Sequence, residues 1–97
     1  MITIADPTRT IDKEEIERLN FPEQEVLFNK DEIEERRSQA EKAMRLGNMF
    51  HTRVKIVFED SKGMKMVETT IWGVSDRNLV LKKAILLPLH RVHKLVM

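Results

Sequence analysis

The 97-residue chain contains no cysteine, and it has only three glycines, three prolines and one tryptophan. Without cysteine it forms no disulfide, no thiolate nucleophile and no cysteine-ligated zinc site. Its glycines, Gly47, Gly63 and Gly73, lie too far apart to form a glycine-rich phosphate loop. The longest apolar run, 84–89, is too short to span a bilayer, and the N-terminus lacks the basic and apolar segments of a secretory signal. We therefore expect a cytoplasmic protein that does not bind membranes.

Patterns typical of catalysis and metal binding are missing as well. Within one strand His90 and His93 would point to opposite faces, and they could converge only if residues 89–92 form a helical turn. No carboxylate cluster accompanies them or His51. The serines have neither a nucleophile-elbow motif nor a triad context. Glutamates in the first half alternate with lysine and arginine, as on a solvated helix face. We therefore predict a protein that is not an enzyme and that holds no metal and no cofactor.

Charge is distributed unevenly along the chain. With 41% apolar and 34% charged residues, the composition suits one small folded domain. Residues 1–44 contain twelve acidic and seven basic side chains, a net charge of −5, whereas residues 45–97 contain four acidic and ten basic ones, a net charge of +6. A basic half is typical of nucleic-acid-binding surfaces. Two alternatives remain open, namely that the halves attract each other or that the charges only solvate the surface.

Two capping patterns predict helices in the acidic half. Asp12 and Glu15 form a capping box, which predicts a short helix over about 12–20. A second cap at Asn29 predicts a longer helix over about 29–47, with Gly47 and Asn48 as its C-terminal cap. Its apolar stripe is thin, so we expect it to lie on the surface of the domain. Residues 1–28 should then form a loosely packed N-terminal arm, and residues 29–97 a single domain.

The basic half carries the alternation of β-strands. Apolar and charged residues alternate over 52–60, and turn residues at 60–63 and 75–78 separate this run from further β-rich segments. Pro88 predicts an edge or a break, because proline cannot donate a ladder hydrogen bond. Residues 52–97 are therefore predicted to form an antiparallel meander of five strands. The predicted core residues alternate along it: Val54, Ile56, Phe58, Val67, Ile71, Leu79, Leu81 and Leu87.

A longer motif carries a resemblance to a known family. The run Val67–Leu81, which ends in Asn-Leu-Val-Leu, resembles the first motif of the Sm-like proteins, the Sm and Hfq RNA-binding family. Residues 89–92 lie where bacterial members carry a Lys-His motif. The resemblance covers about residues 52–95 and implies an α+β fold, with N-terminal helices followed by a small antiparallel five-stranded SH3/Sm-like barrel. It also implies that Asn78, His90 and Arg91 lie near RNA-contact positions.

The basic half and this resemblance predict RNA binding. Six cations would contact phosphate, and Trp72 would stack on a base if it is exposed. Trp72 could instead pack beneath the helix or the arm, and the cations could be ordinary solubilising charges. A second hypothesis is a protein–protein interaction or self-assembly module, because the apolar run 85–89 invites edge pairing in a homo-oligomer. The predicted RNA contacts are Arg53, Lys55, Trp72, Arg77, Lys82, Lys83 and Arg91.

Overall fold

One α-helix and seven strands form the part of the chain that the computed structural model describes, residues 9–97. Residues 1–8, the start of the predicted arm, lie outside the described residues. The helix, α1, spans Lys30–Phe50. The strands are β1 (Arg9–Thr10), β2 (Val54–Asp60), β3 (Gly63–Thr69), β4 (Ile71–Val74), β5 (Asn78–Leu81), β6 (Ile85–Pro88) and β7 (Val92–Val96). Short 3₁₀ helices occupy Lys13–Arg18, Lys82–Ala84 and Leu89–Arg91.

The strands form two sheets. A four-stranded sheet has the order β1-β3-β2-β7, and a three-stranded sheet has the order β4-β5-β6. The two-residue strand β1 runs parallel to β3, and the other pairs are antiparallel. Thr70 alone separates β3 from β4, so one extended stretch passes from the first sheet to the second at this residue.

The predicted fold class is wrong. Residues 9–97 form two separate sheets of four and three strands rather than a closed five-stranded barrel. They contain one long α-helix, and the short helix predicted over about 12–20 is a single 3₁₀ helix, Lys13–Arg18. Its capping box is present, with the Asp12 amide donating to Glu15 Oε2 at 3.1 Å. The physical reason for the difference is that alternation identifies strands but not the sheet to which each strand belongs.

The hydrophobic core confirms the predicted alternation of apolar residues along the strands. All eight predicted core residues are buried, each at most 1% exposed. Ile11 and Ile16, from the predicted arm, are buried in the same cluster, so this part of the arm packs on the sheets rather than lying loose. Ala40 and Ala43 bring α1 onto the cluster. No helix within residues 9–97 is both long enough and apolar enough to cross a membrane.

Helix α1 ends later than predicted. Asn29 caps its start by accepting from the Asp31 amide at 2.7 Å. The helix passes through Gly47 and stops at His51, whose φ of 57° is left-handed and whose amide donates to the Gly47 carbonyl. Gly47 lies so close to β4 that an added Cβ would be 2.7 Å from the Ile71 carbonyl oxygen. Gly47 is therefore a packing position and not the helix cap.

Candidate nucleic-acid interface

Three of the seven predicted RNA contacts meet at one cleft. Arg53, Trp72 and Lys82 line a depression of about 610 Å³ at the C-terminal end of α1. No acidic side chain is found among the described residues that line it. The remaining lining residues are Gly47, Asn48, His51 and Thr70.

Trp72 reaches the cleft because β4 is irregular. The pairing of β4 with β5 shifts between Ile71 and Gly73, so Trp72 sits at the irregularity. Ile71 points into the core and is fully buried, whereas the Trp72 side chain is 46% exposed. Trp72 therefore lies beside the end of α1 rather than buried beneath it, and about half of its surface is open to solvent.

Hydrogen bonds to backbone carbonyls position the two basic residues of the cleft, Arg53 and Lys82. Arg53 precedes β2, and its Nη2 donates to the Glu68 carbonyl at 3.1 Å, which fixes the guanidinium in an exposed position. The Lys82 amide donates to the Thr70 carbonyl at 3.0 Å. That hydrogen bond ties the β5–β6 turn to the start of β4 and places the exposed Lys82 side chain at the cleft.

Lys83 lies next to the cleft, at the tip of the β5–β6 turn. Its φ is 67° and that of Ala84 is 62°, both in the left-handed region that is costly for residues with a side chain. A backbone hydrogen bond, the Lys13 ammonium and, more weakly, the charge of Lys83 lower the pKa of Glu14. Lys83 therefore lies near a carboxylate of this chain, that of Glu14.

Arg91 is buried inside the fold and does not line the cleft. It is only 5% exposed. Its Nε donates to the Glu59 carbonyl at 2.9 Å, and its Nη1 donates to the Gln24 carbonyl at 2.8 Å. Nε2 of the neighbouring His90 lies 3.0 Å from the Pro22 carbonyl oxygen. Both side chains hold the segment 20–28 against the sheets, so the donors of Arg91 are used within the fold.

Lys55 and Arg77 are exposed but lie away from the cleft. Lys55 is paired in register with Glu68 on one side and Val96 on the other, within the four-stranded sheet. Arg77 lies in the turn between β4 and β5, at the end of the three-stranded sheet opposite Lys82. The structure thus does not bring these two cations together with Trp72.

Asn48 and His51 are cleft residues that sequence reasoning did not select. Both belong to the end of α1, which the Gly-Asn pair led us to place too early. The amide of Asn48 can donate and accept hydrogen bonds, which suits the edge of a base. Within residues 9–97, no three side chains of the metal-ligating types lie together.

Comparison of this chain with protein-family models, with curated proteins and with solved structures gives no match. The Sm-like resemblance therefore stays a prediction from the sequence.

Proposed function

We propose that this protein is a small, non-catalytic, cytoplasmic domain that binds single-stranded nucleic acid, RNA in particular, at the Trp72 cleft. The observation that carries the proposal is the half-exposed Trp72, which lines one cleft together with Arg53 and Lys82. None of the described residues that line this cleft is acidic. Base–aromatic stacking contributes about 1–3 kcal/mol per base, and it requires a base whose face is not covered by a duplex neighbour. An unpaired strand meets that requirement.

The two cations would have different roles toward the phosphates. Arg53 uses one Nη2–H on the Glu68 carbonyl, which leaves most of its five N–H donors for a phosphate that it can hold in a fork. Lys82 offers a mobile point charge at the turn. Phosphate contacts of this kind orient the strand without reading its sequence, while Trp72 accepts any base.

A second candidate function is a self-assembly or protein-interaction module. The observation in its favour is that β6 lies at the edge of the three-stranded sheet and carries Leu86, which is 53% exposed. Exposed edges with apolar side chains pair readily with another strand.

Titration of a labelled single-stranded RNA pool at low and moderate salt tests the first proposal. Trp72→Ala should weaken binding about 5- to 150-fold, the equivalent of one lost stacking contact. Lys82→Glu should weaken binding for all sequences and reduce the salt slope by about 1. Lys62→Glu makes the same charge change in the exposed β2–β3 turn, away from the cleft, and should have a much smaller effect.

Two results would overturn the proposal. One is the absence of binding by the wild-type protein at low salt. The other is a Trp72→Ala variant that binds as tightly as the wild type, since the cleft would then be the wrong place. In the second case Lys55 and Arg77, which lie outside the cleft, would be the next residues to substitute.

A further inference from the structure

The outer face of the three-stranded sheet carries an apolar row beside the cleft. Gly73 is paired with Val80, and Val80 is paired with Leu86, so the three residues cross β4, β5 and β6 in register. Their neighbours along the strands, Leu79 and Leu87, are fully buried and face the core. Because side chains alternate along a strand, Val80 and Leu86 point to the opposite, outer face.

This row is open to solvent and continuous with Trp72. Leu86 is 53% exposed, and Gly73 and Val80 are partly exposed. Gly73 adds no side chain above the sheet; a Cβ there would lie 3.5 Å from Val80 Cβ. A low, apolar surface therefore runs from Trp72 on β4 to Leu86 on β6.

The charges around the face favour an anionic ligand. Lys82 and Lys83 lie at one end of the sheet, where Glu14 is near Lys83, and Arg77 lies at the other end next to Asp76. None of the described side chains that point outward from β4, β5 and β6 is acidic. The same face of a second copy would add further cations, whereas a polyanion would neutralise those present.

We propose, building on the function above, that the bound strand leaves the Trp72 cleft and crosses the outer face over Val80 to Leu86. Strands lie about 4.8 Å apart, so the path from β4 to β6 is about 10 Å long. Bases that lie flat on the sheet follow one another along this path, so roughly two bases fit beyond the one on Trp72. Their apolar faces pack on Val80 and Leu86, as flipped bases pack on apolar side chains elsewhere. The phosphates lie toward Lys82 and Lys83.

The test compares Leu86→Glu with Val96→Glu. Both residues lie in edge strands and are similarly exposed, 53% and 46%, but Val96 belongs to the four-stranded sheet. Each variant is titrated with single-stranded RNA of about 2 and about 8 nucleotides. Leu86→Glu should weaken binding of the longer RNA about 5-fold or more and leave the shorter one unchanged. Val96→Glu should affect neither RNA beyond a small, uniform loss.

The controls separate this proposal from the function on which it rests. Unfolding midpoints of both variants should equal that of the wild type, and Leu86→Gln replaces Leu86→Glu if they do not. If Trp72→Ala loses binding but neither Leu86 variant does, the cleft stands and the path across the face is wrong. If Leu86→Glu changes the molar mass in light scattering and leaves RNA affinity intact, the face is a contact between copies, which also overturns the proposal.

Discussion

Two buried arginines, Arg36 and Arg91, hold the segment 20–28 against the rest of the fold. Arg36 is 6% exposed and Arg91 is 5% exposed. Both Oε atoms of Glu25 accept from Arg36 at 2.6 Å, and the Val92 carbonyl accepts from it at 3.0 Å. A buried arginine is tolerated only with such partners. Sequence could not single them out, because their partners lie in the aperiodic segment 20–28 or on remote strands.

The first residue-scale prediction concerns Glu25. Partial burial raises its pKa, but hydrogen bonds from Arg36 and from the Leu27 amide outweigh this, and the pKa is lowered from its ordinary value of 4.5. Because the folded pKa lies below the unfolded one, the stabilisation is complete above the unfolded value and is lost as the pH falls through the folded value. Glu25→Gln should therefore lower the free energy of unfolding at neutral pH by about 1–3 kcal/mol.

Urea unfolding at neutral pH and at about pH 3 checks this prediction, since the gap between wild type and variant should narrow once the carboxylate is protonated. Glu23→Gln is the matched control, because it removes the same charge from an exposed position of the same segment. A gap that persists unchanged at acid pH would contradict the ionic role of Glu25.

At the scale of elements, α1 runs antiparallel along β4 and is longer than this strand. Arg37 Nη2 donates to the carbonyls of Ser75 at 3.1 Å and Asp76 at 2.9 Å, just after β4, and Gly47 meets Ile71 at its start. Strand periodicity predicted the core residues but not the change of sheet. This change occurs at Thr70, where neither glycine nor proline marks it in the sequence.

Gly47→Ala is the prediction that belongs to this element pair. Alanine favours an isolated helix by about 1 kcal/mol over glycine. Its Cβ, however, would lie 2.7 Å from the Ile71 carbonyl oxygen and 2.8 Å from Thr70 Cγ2, and a backbone atom does not yield easily. We expect a net destabilisation of about 1–3 kcal/mol in chemical denaturation. Ser38→Ala, on the exposed side of α1, should be neutral or slightly stabilising, and a Gly47→Ala variant that behaves like it would contradict the close packing.

For the whole molecule, the charge asymmetry and the cation list were visible in the sequence, whereas the cleft was not. Arg53, Trp72 and Lys82 come from the entry to β2, the irregularity in β4 and the β5–β6 turn. Only the two-sheet topology brings them together. Arg91 is also an arginine of the basic half, yet its guanidinium donates to carbonyls inside the fold. Residue type therefore identified the candidate cations and the tryptophan, and the tertiary structure determined which of them share the cleft.

Self-association is the prediction at this scale. The Leu89 amide donates to the Arg77 carbonyl at 2.8 Å, so by antiparallel alternation the backbone groups of Leu87 face β5 and those of Leu86 face away from β5, at a strand that the 3₁₀ helix Lys13–Arg18 contacts on another side. A second copy pairing there would use the Leu86 amide as a donor. Light scattering at rising concentration should then give a mass above the 11.4 kDa of one chain, and Leu86→Pro should restore the single-chain mass by removing that donor. Pro88 already removes one donor from this edge, so the association should be weak. A constant mass near 11.4 kDa up to the highest concentration would exclude pairing through β6.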